Sequence, residues 1–193
     1  MREQGAWLVF ADESGLALRP AKARTWARAG RAPVVRVAAR AGRVSLAGTV
    51  CVKAGCRTRP VYRMLVHHPH RRGEKKGFRE RDFAGLLDAA HHQLGGNMVL
   101  VWDNSTQHVD ALLRRLPSAR SGWLTVYRLP PYAPDLNPAE GVWANLKHDL
   151  GNLAACTVDQ LADLTHTRLK RMQYRADLLD GFIAETSLTM TSP

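Results

Sequence analysis

Apolar residues along the chain form two continuous runs that stand out from the rest of the sequence. Trp7 to Glu13 (WLVFADE) and Met98 to Asn104 (MVLVWDN) are apolar until each ends in acidic or amide residues. Runs without alternation are typical of strands that are covered on both faces of a sheet. They predict two buried strands that carry Asp12 and Asp103 at their C-terminal ends, where open α/β sheets present ligand-binding groups.

Shorter segments rich in β-branched and aromatic residues predict the remaining strands. Val34–Ala38, Val44–Val52 and Pro60–Val66 are separated by short turns that contain Gly and Arg. This spacing predicts an antiparallel meander attached to the first strand. Trp123–Leu129 predicts one more strand.

Apolar residues at helical spacing predict the helices. The first covers Arg79–Leu94, and its predicted inner positions are Phe83, Leu86, Leu87, Ala90 and Leu94. Later helices are predicted after Asp103 to about Leu116, from Pro138 to Leu150, from Thr157 onward, and from Arg175 to Glu185. The helix at Thr157 begins with TVDQ, which has the form of a capping box, and its predicted inner residues are Leu161, Leu164, Leu169 and Met172.

The order of these elements is β, meander, α, β, α, β, α, α. It predicts an α/β fold with a mixed sheet flanked by helices, the arrangement of ribonuclease H-like folds. The length of 193 residues suits a single domain over residues 1–193.

Charge narrows the range of partners. The 28 Lys and Arg outnumber the 17 Asp and Glu, which gives a net charge of +11 and a pI near 10.3. A surplus of this size favours a polyanion. No apolar run approaches the roughly 18–20 residues of a membrane span, and MREQGAW lacks the apolar core of a signal peptide. Nucleic acid in the cytoplasm, associated with the nucleoid, is the predicted partner, and no membrane is expected.

The three cysteines fit that compartment. Cys51, Cys56 and Cys156 are odd in number and show no CxxC spacing. They are predicted to be small buried residues rather than a disulfide framework or a zinc site.

Carboxylates at neighbouring strand ends would repel each other and so require a cation. Oxygen ligands favour Mg²⁺ or Mn²⁺ over zinc. Such a site needs a third carboxylate, and Glu140 is the candidate.

Each of these carboxylates has a competing structural explanation. An Asp at a strand end is often a turn former or helix cap. With Asn137 as N-cap and Pro138 at N1, Glu140 falls at N3 and would complete a capping box. The two roles of Glu140 are compatible.

Three segments resemble the catalytic blocks of DDE transposases, in particular the bacterial insertion-sequence branch of the mariner superfamily. They are FADESGLALRP, VWDNSTQH and LPPYAPDLNPAEGVWANLK, and TWARAGRAP (Thr25 to Pro33) resembles a further stretch of that branch. The matches run in order from Phe10 to about Lys147. The proline-rich third block is the most specific, and the 36 residues between Asp103 and Glu140 are close to the short spacing of this superfamily.

The resemblance implies a catalytic triad of Asp12, Asp103 and Glu140 that holds two Mg²⁺ ions, with Mn²⁺ as a substitute. It also implies the ribonuclease H-like fold, cut-and-paste DNA transposition, and a homodimer that acts on paired transposon ends and target DNA. Asn104 and His108 lie in the second block as active-site neighbours, although a single His near a helix start is more often structural.

The family usually carries a helix-turn-helix module before the catalytic domain, and this chain shows none ahead of Asp12. The module could lie on a separate chain or a frameshifted reading frame, could be lost, or could fall outside this sequence. The expected function is therefore that of the transposase catalytic domain. A metal-dependent nuclease without strand transfer and a catalytically inactive DNA-binding remnant are the alternatives.

Two basic stretches predict contacts to the DNA backbone, against the alternative of solvated charge runs. One runs from His67 to Arg81, and the other, from Arg19 to Arg31, includes Trp26. The predicted DNA-binding residues are Arg24, Arg28, Arg31, Arg71, Arg72, Lys75, Lys76 and Lys147.

Three other residues near the triad are given structural positions. Glu13 is expected on the opposite side of the strand from Asp12. Asp135 is expected to shape its loop, and Trp143 to pack in the core.

Overall fold

The computed structural model describes residues 5–18, 26–31, 34, 42–68, 71, 73, 77–102, 120–130, 133–151 and 157–188. The strands are β1 (Trp7–Ala17), β2 (Arg43–Val52), β3 (Arg59–His67), β4 (Met98–Trp102) and β5 (Leu124–Arg128). The helices in the described ranges are α1 (Glu80–Leu94), α2 (Pro138–Asp149), α3 (Val158–Gln173) and α4 (Ala176–Glu185), with a 3-10 turn at Pro134–Leu136.

The five strands form one mixed sheet in the order β3-β2-β1-β4-β5. Strands β1, β2 and β3 are joined antiparallel, whereas β4 and β5 run parallel to β1. The predicted mixed sheet, with a meander attached to the first strand, is confirmed, and the fold is ribonuclease H-like. The two strands predicted to carry the aspartates are direct neighbours.

Strand β1 continues past the predicted end at Glu13 and runs to Ala17. Its pairing with β4 ends at Ala11 opposite Trp102, while its pairing with β2 continues to Ala17. Asp12 directly follows the last described pair of β1 with β4. On its other side it lies opposite Gly48 of β2.

Each face of the sheet buries a separate apolar core, because successive residues of a strand point to opposite faces. Trp7, Val9 and Ala11 lie in a core with the inner residues of α1. Leu8 and Phe10 lie in a second core, which contains the inner residues of α2, α3 and α4. Both faces are covered, which is why β1 and β4 appear in the sequence as continuous apolar runs.

The helix α3 begins at a capping box, whereas at α1 only half of such a box is present: Arg79 N donates to Asp82 Oδ2 at 2.9 Å. In the box of α3, Thr157 Oγ1 accepts from Gln160 N at 3.2 Å, and Gln160 Oε1 accepts from Thr157 N at 2.9 Å, as predicted. One of the predicted inner residues of α3 is wrong: Leu164 is 37% exposed. Thr165 occupies the buried stripe instead, and its hydroxyl is satisfied by donating to Leu161 O at 2.6 Å.

Two further predictions need correction. Val34 is not part of a strand, and the rest of Val34–Ala38 lies outside the described residues, as does the helix predicted after Asp103. Cys51 is buried, as predicted, but Cys56 is exposed. It lies in the turn between β2 and β3, where its N–H donates to Lys53 O at 3.0 Å. Cys156 lies outside the described residues.

Candidate active site

The first turn of α2 is attached directly to β1 through one buried residue. Asn137 is 2% exposed and is the N-cap of α2, since its Oδ1 accepts from Ala139 N at 3.1 Å. Its Nδ2 donates to the carbonyl oxygen of Ala11 at 3.3 Å. Ala11 immediately precedes Asp12, so this single side chain fixes the beginning of α2 beside the aspartate.

Glu140 lies at N3 of α2, as predicted, but the predicted capping box is wrong. A box would require the N–H of Asn137 to donate to the Glu140 carboxylate. That N–H donates instead to Pro134 O at 2.9 Å, within the 3-10 turn that precedes α2. Glu140 is exposed, and its side chain has no hydrogen bond or ion pair with any described residue.

The side chain of Glu140 is therefore available at the beginning of α2. Because Cα–Cβ bonds tilt toward the N-terminus of a helix, it leans toward the turn that Asn137 fixes on β1. The geometry therefore excludes one of the two explanations for Glu140, because its carboxylate does not cap α2.

Asp12 is a buried carboxylate, with 4% of the residue exposed. It follows Leu8 and Phe10 at the strand period of two, which places it on the face of the sheet covered by α2. Glu13, the next residue, is exposed and lies on the opposite face, as expected. A buried carboxylate is costly unless it has compensating partners or coordinates a metal ion.

Trp143 of α2 packs onto β2 at the position directly opposite Asp12. A Cβ added to Gly48 would lie 2.9 Å from Cη2 and 3.1 Å from Cζ2 of the indole. Only a glycine allows this contact, and Trp143 is 3% exposed, so its predicted packing in the core is confirmed. On the other side of α2, a Cβ on Gly141 would lie 2.8 Å from Phe182 of α4. Close contacts on two sides therefore hold α2 in place over β1 and β2.

Asp12 and Glu140 supply the hard oxygen donors that Mg²⁺ and Mn²⁺ prefer, so their chemistry fits such an ion. Within the described ranges, no group of three His, Cys, Asp or Glu side chains could hold a metal ion. The third predicted ligand, Asp103, directly follows Trp102 in the sequence but lies outside the described residues, as do Asn104 and His108.

Four of the eight predicted DNA-binding residues are described, and all four are exposed: Arg28, Arg31, Arg71 and Lys147. Arg28 and Arg31 share a turn in which Arg31 N donates to Arg28 O at 3.0 Å. Trp26, close to that turn, is 100% exposed. Lys147 lies on α2 seven residues after Glu140, about two helical turns along the same side. The other four, Arg24, Arg72, Lys75 and Lys76, lie outside the described residues.

Two features of the site are not predicted by the sequence analysis: the bond from Asn137 to Ala11, and the role of Gly48. The sequence predicts Asn137 as a cap, but its bond to Ala11 joins positions 126 apart, and local patterns carry no signal for it. Gly48 had a usable signal, because a glycine inside a strand often marks a close approach by another group. Asp135, expected to shape its loop, is exposed within the 3-10 turn.

Among the described residues, no helix is both long enough and apolar enough to cross a membrane. This finding agrees with the absence of an apolar run of that length in the sequence.

Comparison with known proteins identifies a family. The sequence profile described as "DDE superfamily endonuclease" matches residues 7–162, which include every described residue of the candidate site. A search of curated proteins found no significant match.

Solved structures of the Mos1 mariner system share the fold. The paired-end complex with Mn has a TM-score of 0.62 at 14% identity, over 93% of this chain and 53% of that chain. The paired-end complex with Mg has a TM-score of 0.57, and the strand transfer complex 0.56, each at 14% identity over 95% of this chain and 56% of that chain. This chain therefore spans about half the length of these proteins, and at this identity the likeness concerns the fold alone.

Proposed function

The chain belongs to the family of DDE superfamily endonucleases, and we propose that it is the catalytic domain of an insertion-sequence transposase. It would cut DNA strands and join them to a target. The observation that carries the proposal is the bond from Asn137 to Ala11, which fixes the beginning of α2 next to Asp12. Glu140, with no capping role, is thereby left for chemistry.

The proposed ligand set is Asp12, Asp103 and Glu140. Two Mg²⁺ ions, or Mn²⁺ in their place, would when bound activate the attacking oxygen and stabilise the leaving oxygen of a phosphodiester. The chain itself would contribute by holding the three proposed ligands in position. Asp12 is held on a central strand, and Asp103 follows the neighbouring strand. Glu140 is carried by a helix that Asn137 and Trp143 fix on the sheet.

The proposed substrate is DNA, as transposon ends and as target. The support is the net charge of +11, the exposed Arg28, Arg31, Arg71 and Lys147, and the DNA complexes among the Mos1 structures of similar fold. Contacts of this kind go to phosphates, so they provide affinity that falls with salt rather than sequence specificity. Arg24, Arg72, Lys75 and Lys76 are proposed to add to the same surface, and Asn104 and His108 to lie beside the reacting phosphate.

We further propose that residues 1–193 act as one catalytic domain, as a homodimer, in the cytoplasm at the nucleoid. Recognition of the transposon ends is assigned to a helix-turn-helix module on a separate chain or elsewhere in a longer protein.

Plasmid nicking in Mg²⁺ and in Mn²⁺ tests the proposal with Glu140→Gln. Glutamine keeps the size of the side chain but offers a neutral amide to the cation. We expect cleavage to fall by about a hundredfold or more, because even residues that only support a metal ligand contribute about 10–100-fold. Since the Glu140 side chain makes no hydrogen bond or ion pair with the described residues, the melting temperature should change little.

Glu13→Gln is the matched control, because it removes a neighbouring exposed carboxylate on the opposite face of β1. It should nick like wild type. Equal nicking by wild type and Glu140→Gln would show that the ligand set is wrong. Nicking without joining of cut ends to a target plasmid would identify a nuclease without strand transfer. DNA binding without nicking by wild type would identify an inactive remnant.

A further inference from the structure

Trp143 has a buried hydrogen-bond donor that the described residues do not use. The residue is 3% exposed, and its Nε1–H donates to no atom of the described part of the chain. Buried polar groups nearly always have a partner, because an unpartnered group loses its hydration without compensation. The protein therefore keeps, next to its candidate active site, a donor whose partner has still to be identified.

Trp143 is close in the fold to two of the proposed ligands, Glu140 and Asp12. Trp143 follows Glu140 by three residues on α2, a spacing that makes the two side chains neighbours on the helix. The indole also lies on Gly48, which is directly opposite Asp12 in the β1–β2 pair. Residues directly opposite each other project to the same face, with Cβ positions about 4.5–5.5 Å apart.

The cavity on the other side of the indole has almost no exposed hydrogen-bond acceptor for its N–H. It is a small cavity between the sheet and the helices α2 and α3, and its exposed lining is almost entirely apolar. The side chains around it include Val50, Leu169 and Met172, and the two hydroxyl-bearing residues there, Thr49 and Tyr62, contribute almost no polar surface to it. An acceptor is therefore more readily found toward Asp12 than toward this cavity.

We propose that Trp143 is a positioning residue of the active site, and that its indole N–H donates to the Asp12 carboxylate when that carboxylate binds a divalent cation. The inference rests on the proposed function of the site. Carboxylates that ligate metals are generally oriented by hydrogen bonds from a surrounding layer of residues. Trp143 would provide such a bond and would couple Asp12 to the helix that carries Glu140.

The test is an NMR titration of the ¹⁵N-labelled full chain with Mg²⁺. The chain has five tryptophans, and Trp143→Phe identifies the Nε1–H signal of Trp143 by its loss. On addition of Mg²⁺ we expect this signal to move downfield and its proton to exchange more slowly with water. The signal of Trp7, a buried tryptophan on the opposite face of the sheet, should stay in place.

Calorimetric titration with Mn²⁺ gives a second readout. Trp143→Phe keeps an aromatic ring but removes the donor, and we expect Mn²⁺ affinity to fall by about 10–100-fold. Trp7→Phe is the matched control and should bind Mn²⁺ like wild type. If Trp143→Phe does not fold, single Trp→Phe changes at the other four tryptophans assign their signals and leave that of Trp143 by elimination, so the wild-type NMR titration still decides.

The outcomes separate this inference from the proposed function. Heat of cation binding with an unmoved Trp143 signal, or unchanged affinity in folded Trp143→Phe, would overturn the positioning role and leave the cation site intact. No heat and no change in any indole signal would overturn the cation site itself, and the role of Trp143 with it.

Discussion

The two faces of the sheet differ in what they bury, although they share the same strands. On the α1 face, Val9 and Ala11 pack with fully apolar neighbours such as Leu87. On the α2 face, the next residue along β1 is a buried aspartate. It lies opposite a glycine covered by a tryptophan whose N–H has no partner among the described residues. The α1 face also has one buried side-chain atom without a partner among the described residues, His91 Nδ1, but its described core contains no buried carboxylate. The other gives up stability near Asp12, as proteins commonly do where they carry out chemistry.

The largest expected effect comes from truncating one buried leucine on each face. Leu87 of α1 is 1% exposed, and Leu146 of α2 is 0% exposed. Each Leu→Ala change should lower the free energy of unfolding by about 2–5 kcal/mol, since it leaves a cavity in a packed core. Urea denaturation measures both losses. The two variants should nevertheless differ in function, because only Leu146 supports the helix that carries Glu140 and Trp143.

Mn²⁺ affinity, measured where both variants are fully folded, checks this difference. Leu87→Ala should bind like wild type, and Leu146→Ala should bind more weakly. Equal affinity in the two variants would mean that the position of α2 does not control the cation site, and the contrast between the faces would then concern packing only.

A smaller effect is expected from adding one methyl group on each face. In Gly48→Ala the new Cβ would lie 2.9 Å from the Trp143 ring, so the ring or the backbone must shift. Overpacking of this kind costs about 1–3 kcal/mol. In Gly85→Ala, inside α1, the nearest atoms belong to the guanidinium of Arg63, at 3.3 Å and beyond. The guanidinium donates from Nη2 to Gly85 O at 2.9 Å, but this bond is exposed to solvent and the side chain is flexible. Alanine favours a helix over glycine by up to about 1 kcal/mol.

The two glycine variants should therefore change the free energy of unfolding in opposite directions. Thermal and urea denaturation measure the sign, and the fluorescence of the indoles reports a displaced Trp143 in Gly48→Ala. If Gly48→Ala were as stable as wild type, with unchanged fluorescence, the indole would not be held against β2 as tightly as the contact implies.

The sequence predicted the parts of this fold that depend on local patterns. Strands β1 and β4 were predicted because burial on both faces leaves a continuous apolar run. The capping box at Thr157 was predicted because all its atoms lie within four residues. These features need no knowledge of distant segments.

The remaining features depend on competition or on distant contacts. The sequence permits a capping box at Glu140, but the N–H of Asn137 donates to Pro134 O instead. The choice between the two acceptors depends on the geometry of the preceding turn. The bond from Asn137 to Ala11 and the contact between Trp143 and Gly48 join separate segments, so no local pattern specifies them. Asp103 was predicted from the sequence alone and stays a prediction.

The smallest expected effect concerns an ion pair on the α1 side, which tests whether that face depends on charge at all. Arg120 Nε and Nη2 donate to the two carboxylate oxygens of Asp88 at 2.6 and 2.7 Å, and this hydrogen bonding holds the pKa of Asp88 below its usual value. Because half of the Asp88 side chain is exposed, Asp88→Asn should lower the free energy of unfolding at pH 7 by less than about 1 kcal/mol.

The pH dependence of this difference follows from the lowered pKa of Asp88. A carboxyl whose pKa is depressed on folding contributes its stability above the pKa of the unfolded chain, about 3.9 for Asp, and loses it as pH falls through the lower folded value. Wild type and Asp88→Asn should therefore converge in acid, and 1 M salt should also reduce their difference at pH 7. Asp177→Asn is the matched control, since Arg175 lies only two residues from Asp177 and their pairing needs little of the fold. A loss for Asp88→Asn well above 1 kcal/mol, persisting in acid and in salt, would show that the α1 face depends on this residue for more than its charge.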